Sequence, residues 1–183
     1  MGQPLPKPWT VAEFLEWERQ QPERYEFVDG VIRMMTGGTA QHTTIKGNLF
    51  NVLRNTLRGS RCRPFVDGIK VVTDLVGTYP DVVVACSPVP PEADRIESPV
   101  VIIEVLSRST ADYDRGGKWV AYQTIPSLMH YALVSQDTAR VDIFSRDGDD
   151  WRMRTVKELD GQVELAAIGC TLGMAQIYED AEP

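Results

Sequence analysis

A glutamate stands near the end of an otherwise unbroken apolar run, Val100-Val101-Ile102-Ile103-Glu104-Val105-Leu106. A stretch this rich in Val and Ile reads as a strand covered on both faces. An unpaired charge there costs on the order of several kcal/mol, so the fold must supply Glu104 with a partner. A second run, Asp81-Val82-Val83-Val84-Ala85-Cys86, begins with its own carboxylate directly after Tyr79-Pro80. Between the runs, Ser87 to Glu97 holds Pro88, Pro90 and Pro91 and is unfit to continue a central strand. If that loop joins an antiparallel pair, Asp81 faces Glu104, because the midpoint between them falls near the loop's centre, between Glu92 and Ala93. Their Cβ atoms would lie about 5 Å apart, and a divalent metal would answer their repulsion.

The 183 residues suit one domain, 1–183, and 43% hydrophobic content is ordinary for a globular core. Prolines 4, 6 and 8 mark residues 1–9 as an irregular arm. No signal-peptide pattern opens the chain and no apolar run nears the ~20 residues that span a bilayer, so the expected location is cytoplasmic, with no membrane. Cys62, Cys86 and Cys170 are odd in number, widely spaced and without a CxxC pair. They read as small core residues, with neither a disulfide framework nor a zinc site expected. A formal net charge of −7 and a pI near 4.9 weigh against an obligate binder of a polyanion. The distribution works the other way: Val31 to Val66 has no acidic residue and carries Arg33, Lys46, Arg54, Arg58, Arg61 and Arg63.

Thr10 with Glu13 forms a capping-box pattern, which predicts a helix to about Gln21. Asp29-Gly30 between Tyr25–Val28 and Val31–Met35 predicts a β-hairpin. Periodicity through Ile45, Leu49, Val52, Leu53 and Leu57 predicts a helix from Gln41 to Arg58. Strands are expected at Arg63–Asp74, broken near Gly68, and over the two carboxylate-bearing runs. Ser107 to Asp112 offers N-caps for a helix from Tyr113 to Thr124, which Pro126 stops. Strands at Leu128–Ser135, Arg140–Ser145, Trp151–Val156 and Val163–Ala167 and a short helix at Gly173–Tyr178 complete an α+β or mixed α/β order, with a central sheet and packed helices.

On the helix from Tyr113, Lys118 shares a face with Asp114, Ala121, Tyr122 and Ile125. That face is largely apolar, and a lysine on it is either a snorkelling side chain, a surface partner of Asp114, or a cation held beside Asp81 and Glu104. His42 lies on the stripe of Leu49 and Leu53, where a hydrogen-bonded core histidine is the common outcome. Glu26 alternates with Tyr25 and Phe27 and reads as facing solvent. Lys46, Arg54 and Arg58 flank their helix's apolar stripe, as a solvated face or as phosphate contacts. Ser107 and Ser109 lack a GxSxG elbow and are explained by capping. Gly37-Gly38 and Gly116-Gly117 are too short for a phosphate-binding loop, so nucleotide-dependent chemistry is unsupported.

Taken in order, Tyr79-Pro80-Asp81, Glu104-Val105-Leu106-Ser107-Arg108-Ser109-Thr110 and Tyr113-Asp114-Arg115-Gly116-Gly117-Lys118, with Tyr122 and Ile125-Pro126-Ser127-Leu128, resemble the Uma family of putative restriction endonucleases. Tyr25-Glu26-Phe27-Val28-Asp29-Gly30 and the helix near His42 are similar to that family as well. The group belongs to the PD-(D/E)XK nuclease superfamily. What the resemblance implies is a restriction-endonuclease-like mixed sheet flanked by helices and Mg²⁺-dependent hydrolysis of DNA, with Mn²⁺ as substitute. Asp81, Glu104 and the Val105 carbonyl would hold the metal, Lys118 would be the catalytic cation, and Glu26 and His42 would be further contacts. The superfamily motif places a lysine two residues after the second acid, where this chain has Leu106. The Uma pattern resembles a migrated arrangement in which a helix lysine, here Lys118, reaches the same place. Two rivals remain: a homodimer that keeps the fold without activity and binds nucleic acid through the Lys46 to Arg63 region, and a structural carboxylate pair that shares a proton.

Overall fold

Thr10 caps the first helix as the capping-box pattern predicts. Its hydroxyl accepts from the Glu13 amide at 3.2 Å, and Glu13 accepts from the Thr10 amide at 2.8 Å. In this computed structural model, which describes residues 9–107 and 111–181, helix α1 (Val11–Glu18) lays Phe14 on Phe27 with ring centroids 5.4 Å apart. Phe14 also presses on Gly77, where a Cβ would stand 2.9 Å from its ring. The arm at residues 1–8 and the predicted caps at residues 108–110 lie outside the described residues.

Asp29 and Gly30 both have positive φ, the conformation a tight hairpin demands, and they join β1 (Tyr25–Val28) to β2 (Val31–Met34). Helix α2 (Ala40–Thr56) starts at Thr39, whose hydroxyl accepts from the His42 amide, and buries Ile45, Leu49 and Leu53 completely. Each such full burial contributes about 2 kcal/mol. The predicted strand from Arg63 to Asp74 is two strands in different sheets. β3 (Arg63–Val66) and β4 (Lys70–Val72) are separated at Asp67 and Gly68, both with positive φ, so the chain turns out of one sheet and into the other. Three strands were not expected: β5 (Val76–Thr78), β7 (Arg95–Ile96) inside the Pro-rich loop, and a strand at Cys170–Gly173. β7 is short and lies at a sheet edge, which is where a proline-rich segment can pair.

The two carboxylate-bearing runs become β6 (Val82–Ala85) and β8 (Pro99–Leu106). They pair antiparallel with Val82 opposite Ile103 and Val83 opposite Ile102, the register that continues to Asp81 opposite Glu104. After β8 the chain crosses over through α3 (Ala111–Tyr113), a π-turn at Asp114–Lys118 and α4 (Trp119–Gln123) to reach β9 (His130–Ser135), parallel to β8. The regular helix expected from Tyr113 to Thr124 is therefore interrupted by a wider turn. β10 (Val141–Asp147), β11 (Asp150–Val156), β12 (Gln162–Leu165), β13 (Cys170–Gly173) and α5 (Met174–Ile177) follow.

The result is α+β: a six-stranded mixed sheet ordered β11-β10-β9-β8-β6-β3, a five-stranded sheet ordered β2-β1-β5-β4-β7, and a β12-β13 hairpin. β8 is buried on both faces. Val101, Ile103 and Val105 join a core with α2 and α5, while Ile102 and Leu106 join another with α4 and Tyr131. Alternation places Glu104 with the second set, toward α4. The cysteine expectation is overturned: Cys62 and Cys86 form a disulfide. They lie one step beyond the Arg63–Ala85 pair at the end of the β3–β6 ladder and so face each other directly. Cys170 is the free, buried cysteine.

Candidate active site

Glu104 ends up in a cavity of about 690 Å³ at the end of β6 and β8, lined also by Glu26, His42, Asp81, Asp114 and Lys118. The β6–β8 register brings the first two acids together: the Asp81 amide donates to Glu104 Oε2 at 3.4 Å, and the Val105 amide donates to Asp81 Oδ2 at 2.8 Å. From α2, His42 Nε2 lies 2.8 Å from Asp81 Oδ1 and Lys46 Nζ lies 3.8 Å from the same oxygen. Among the described residues, His42 Nδ1 is buried without a hydrogen-bond partner.

Lys118, only 5% exposed, is brought in by the π-turn. Its ammonium stands 3.0 Å from Glu26 Oε2, 3.0 Å from Glu104 Oε1 and 3.1 Å from Asp114 Oδ1. The Asp114 contact is an ion pair without hydrogen-bond alignment, so Asp114 Oδ1 is left buried with an unused lone pair. The Tyr122 hydroxyl adds a bond to Glu104 Oε1 at 3.3 Å and lies 2.7 Å from Thr78 Oγ1. Burial pushes the Glu104 carboxyl well above the ordinary range; Lys118 opposes this, and the charges of Asp114, Asp81 and Glu26 reinforce it. Burial disfavours the Lys118 ammonium, but Glu104 and Glu26, with Tyr122 and Asp114, outweigh it and hold the cation.

Two readings of these residues change. Glu26 does not face solvent: β1 is covered by α1 on one side and by Lys118 on the other, and the Glu26 carboxylate also accepts from the Tyr79 amide at 3.0 Å. Asp114 is not a surface partner but a buried wall of the cavity. Lys46 lines the cavity and is paired to Asp67 at 2.9 Å, whereas Arg54, farther along α2, and Arg58, past its end, are exposed and do not line it. Arg33, across the hairpin from Glu26, does line it, and Asp29-Gly30 was the signal for that pairing.

Among the described residues no three His, Cys, Asp or Glu side chains converge as metal ligands. The donors present are Asp81 and Glu104, with Val105 beside them. Around them, Glu26, Asp81, Glu104 and Asp114 outnumber the two nearby ammoniums, Lys118 and Lys46, and among the described residues a buried Asp114 oxygen has no hydrogen bond. Such a cavity is short of positive charge. It fits a hard cation such as Mg²⁺, which takes one or two carboxylates and keeps several waters, and does not fit a fully protein-ligated ion such as structural zinc.

The mixed sheet, its crossover helix and the acids at the ends of adjacent strands define a nuclease-like fold of the restriction-endonuclease type. The chain belongs to the Uma2 family, described as "Putative restriction endonuclease", whose model matches residues 11–175. It is similar to "Uncharacterized protein slr1290" of Synechocystis sp., 36% identical over 179 residues that make up 96% of this chain and 93% of that one. A second Synechocystis relative, "Uncharacterized protein sll1609", is 30% identical over 86% of this chain and 92% of its own. In fold it resembles a crystal structure from Anabaena variabilis titled a putative nuclease belonging to DUF820, with a TM-score of 0.77 and 20% identity over 93% of this chain and 98% of that one.

Proposed function

We propose that the protein is a metal-dependent endonuclease that hydrolyses phosphodiester bonds of DNA at the cavity around Asp81 and Glu104. The observation that carries this reading is the pairing of these two carboxylates at the ends of adjacent strands, inside a cavity with more acids than bases. Asp81, Glu104 and the Val105 backbone would hold Mg²⁺. When bound, that ion would lower the pKa of a coordinated water and offset charge on the phosphate. The chain's own contributions are separate. Val105 and His42 fix the orientation of Asp81, and Tyr122 and Lys118 fix that of Glu104. Lys118 lies on the cavity wall and would exchange one carboxylate contact for the reacting water or a phosphate oxygen.

Titration calorimetry with Mn²⁺ tests the metal assignment. The wild type is expected to bind, and Asp81→Ala and Glu104→Ala to bind at least tenfold more weakly while keeping the wild-type circular dichroism. Unchanged affinity in both variants would defeat it. One observation favours a second reading, in which the fold is kept without turnover: Lys118 already has three carboxylate partners and Leu106 occupies the usual lysine position. Nucleic-acid binding with no cleavage products even when Mg²⁺ is supplied would favour that alternative.

A further inference from the structure

A phosphate approaching the Asp81–Glu104 cavity meets mostly carboxylates. Lys118 is committed to Glu26, Glu104 and Asp114, and Lys46 to Asp67. Arg24 and Arg33 differ: both are exposed and, among the described residues, neither side chain has a hydrogen bond or ion pair. Arg24 lies 5.3 Å from the centroid of the Tyr79 ring, and the Arg33 guanidinium lies 4.2 Å from that of Tyr113. Tyr113 in turn packs against Gly117 of the π-turn, where a Cβ would meet its ring at 3.4 Å, and its hydroxyl is buried without a partner.

Arg33 and Tyr113 also line a second cleft, of about 710 Å³, so the two cavities meet at this pair. The second cleft is walled by Val28, Val31, Leu75, Val120 and Ala121, with Asp29 and Asp112 among its lining residues. Val31 is 50% exposed and Val120 is 65% exposed, so apolar surface is open beside the acidic site. An apolar slot with carboxylates at hand is suited to a nucleobase, whose faces are apolar and whose amino edges donate hydrogen bonds. A cation on an aromatic shelf, with nothing else bound to it, is suited to the adjoining phosphate.

We propose that the Arg33–Tyr113 junction and the cleft behind it form a nucleotide subsite, in which Arg33 binds the phosphate and the Val31–Val120 slot takes an unstacked base next to the bond to be cut. The substrate class follows: a strand whose base is free to leave the stack, single-stranded or locally opened, is preferred over intact duplex. The inference rests on the proposed nuclease reading for the position of the bond, but binding can be measured without turnover.

The experiment is fluorescence anisotropy in EDTA, using the full chain and three labelled probes: a short single-stranded oligodeoxynucleotide, the same sequence as a blunt duplex, and a single strand made of abasic units. The wild type is expected to bind the single strand about tenfold or more tightly than the other two. Val120→Asp should reduce binding of the single strand to the level of the abasic probe, and Arg33→Gln should weaken all three, with Arg33→Lys restoring part of the loss. Equal binding of all probes, or no binding of any, would overturn the subsite. So would a change in sedimentation of Val120→Asp, which would make the slot a contact between copies of this chain. If the probe preference holds but Mg²⁺ yields no cleavage, the nuclease reading fails and the subsite stands.

Discussion

Lys118 is the single residue whose removal the site tolerates least. Its charge balances Glu104, Glu26 and Asp114 where water has little access, and taking away one partner of a buried ion pair typically costs about 3–5 kcal/mol. Lys118→Ala is expected to lose stability by that order in urea unfolding, and Mn²⁺ should recover part of the loss by supplying the missing positive charge. No recovery would argue against a cation site. Residues away from the cavity set the acid stability. Burial lowers the pKa of His130, which accepts from the Ala167 amide at Nε2 and therefore presents Nδ1–H to Ser145. Burial would raise the Asp142 pKa, but hydrogen bonds from Arg115, Arg140 and Thr155 outweigh it and lower it. Both groups take up a proton more readily when unfolded, so each contributes stability that is complete above its unfolded pKa and lost as pH falls through its folded pKa. Urea midpoints are expected to drop first below about pH 6.5, from His130, and again below about pH 3.9, from Asp142. His130→Phe should remove the first drop and keep the second.

Among the elements, the π-turn at Asp114–Lys118 has the most influence on the site. π-turns are one-residue insertions within helices and recur at functional positions. On this one, Asp114 and Lys118 both line the cavity, and Tyr122 of α4 follows four residues on and bonds Glu104. Deleting Gly116, around which a Cβ would meet nothing within 4 Å, removes the insertion and shortens the Asp114–Lys118 spacing from four residues to three. The variant is expected to keep wild-type circular dichroism and to lose at least tenfold in cleavage, because Asp114 is drawn off Lys118. Unaltered cleavage would show that the turn is incidental. Sequence periodicity could place Asp114, Lys118, Tyr122 and Ile125 on one inward face, and all four are buried. It could not show the insertion itself, since a 3.6-residue period assumes that none exists. The β6–β8 register was legible for a different reason: a proline-rich loop of fixed length leaves one pairing that brings both carboxylates to the same end.

At the scale of the whole molecule, a second sheet hides from the sequence. β4, β5 and β7 are two or three residues long, too short for a period of two to be recognised, and they carry the hairpin that delivers Glu26 and Arg33. That is why Glu26 read as solvent-facing; Cys62 and Cys86 read as separate for another reason, since nothing in the sequence announces that β3 pairs with β6. The long elements were recovered, including α2, β8 and β9, because each buries enough apolar surface to declare its period. The net charge of −7 is a poor guide to the site, as acids concentrate where a cation is called for and Arg33 stands beside them with no ion pair among the described residues. The central claim is that Asp81 and Glu104 make this a metal-dependent nuclease. Its most direct test is gel-resolved cleavage of single-stranded, duplex and branched DNA by purified protein with Mg²⁺, with EDTA, and in Asp81→Ala. The account predicts products with Mg²⁺ alone and none from the variant; products that persist unchanged in Asp81→Ala, or no cleavage of any substrate by the wild type, would contradict it.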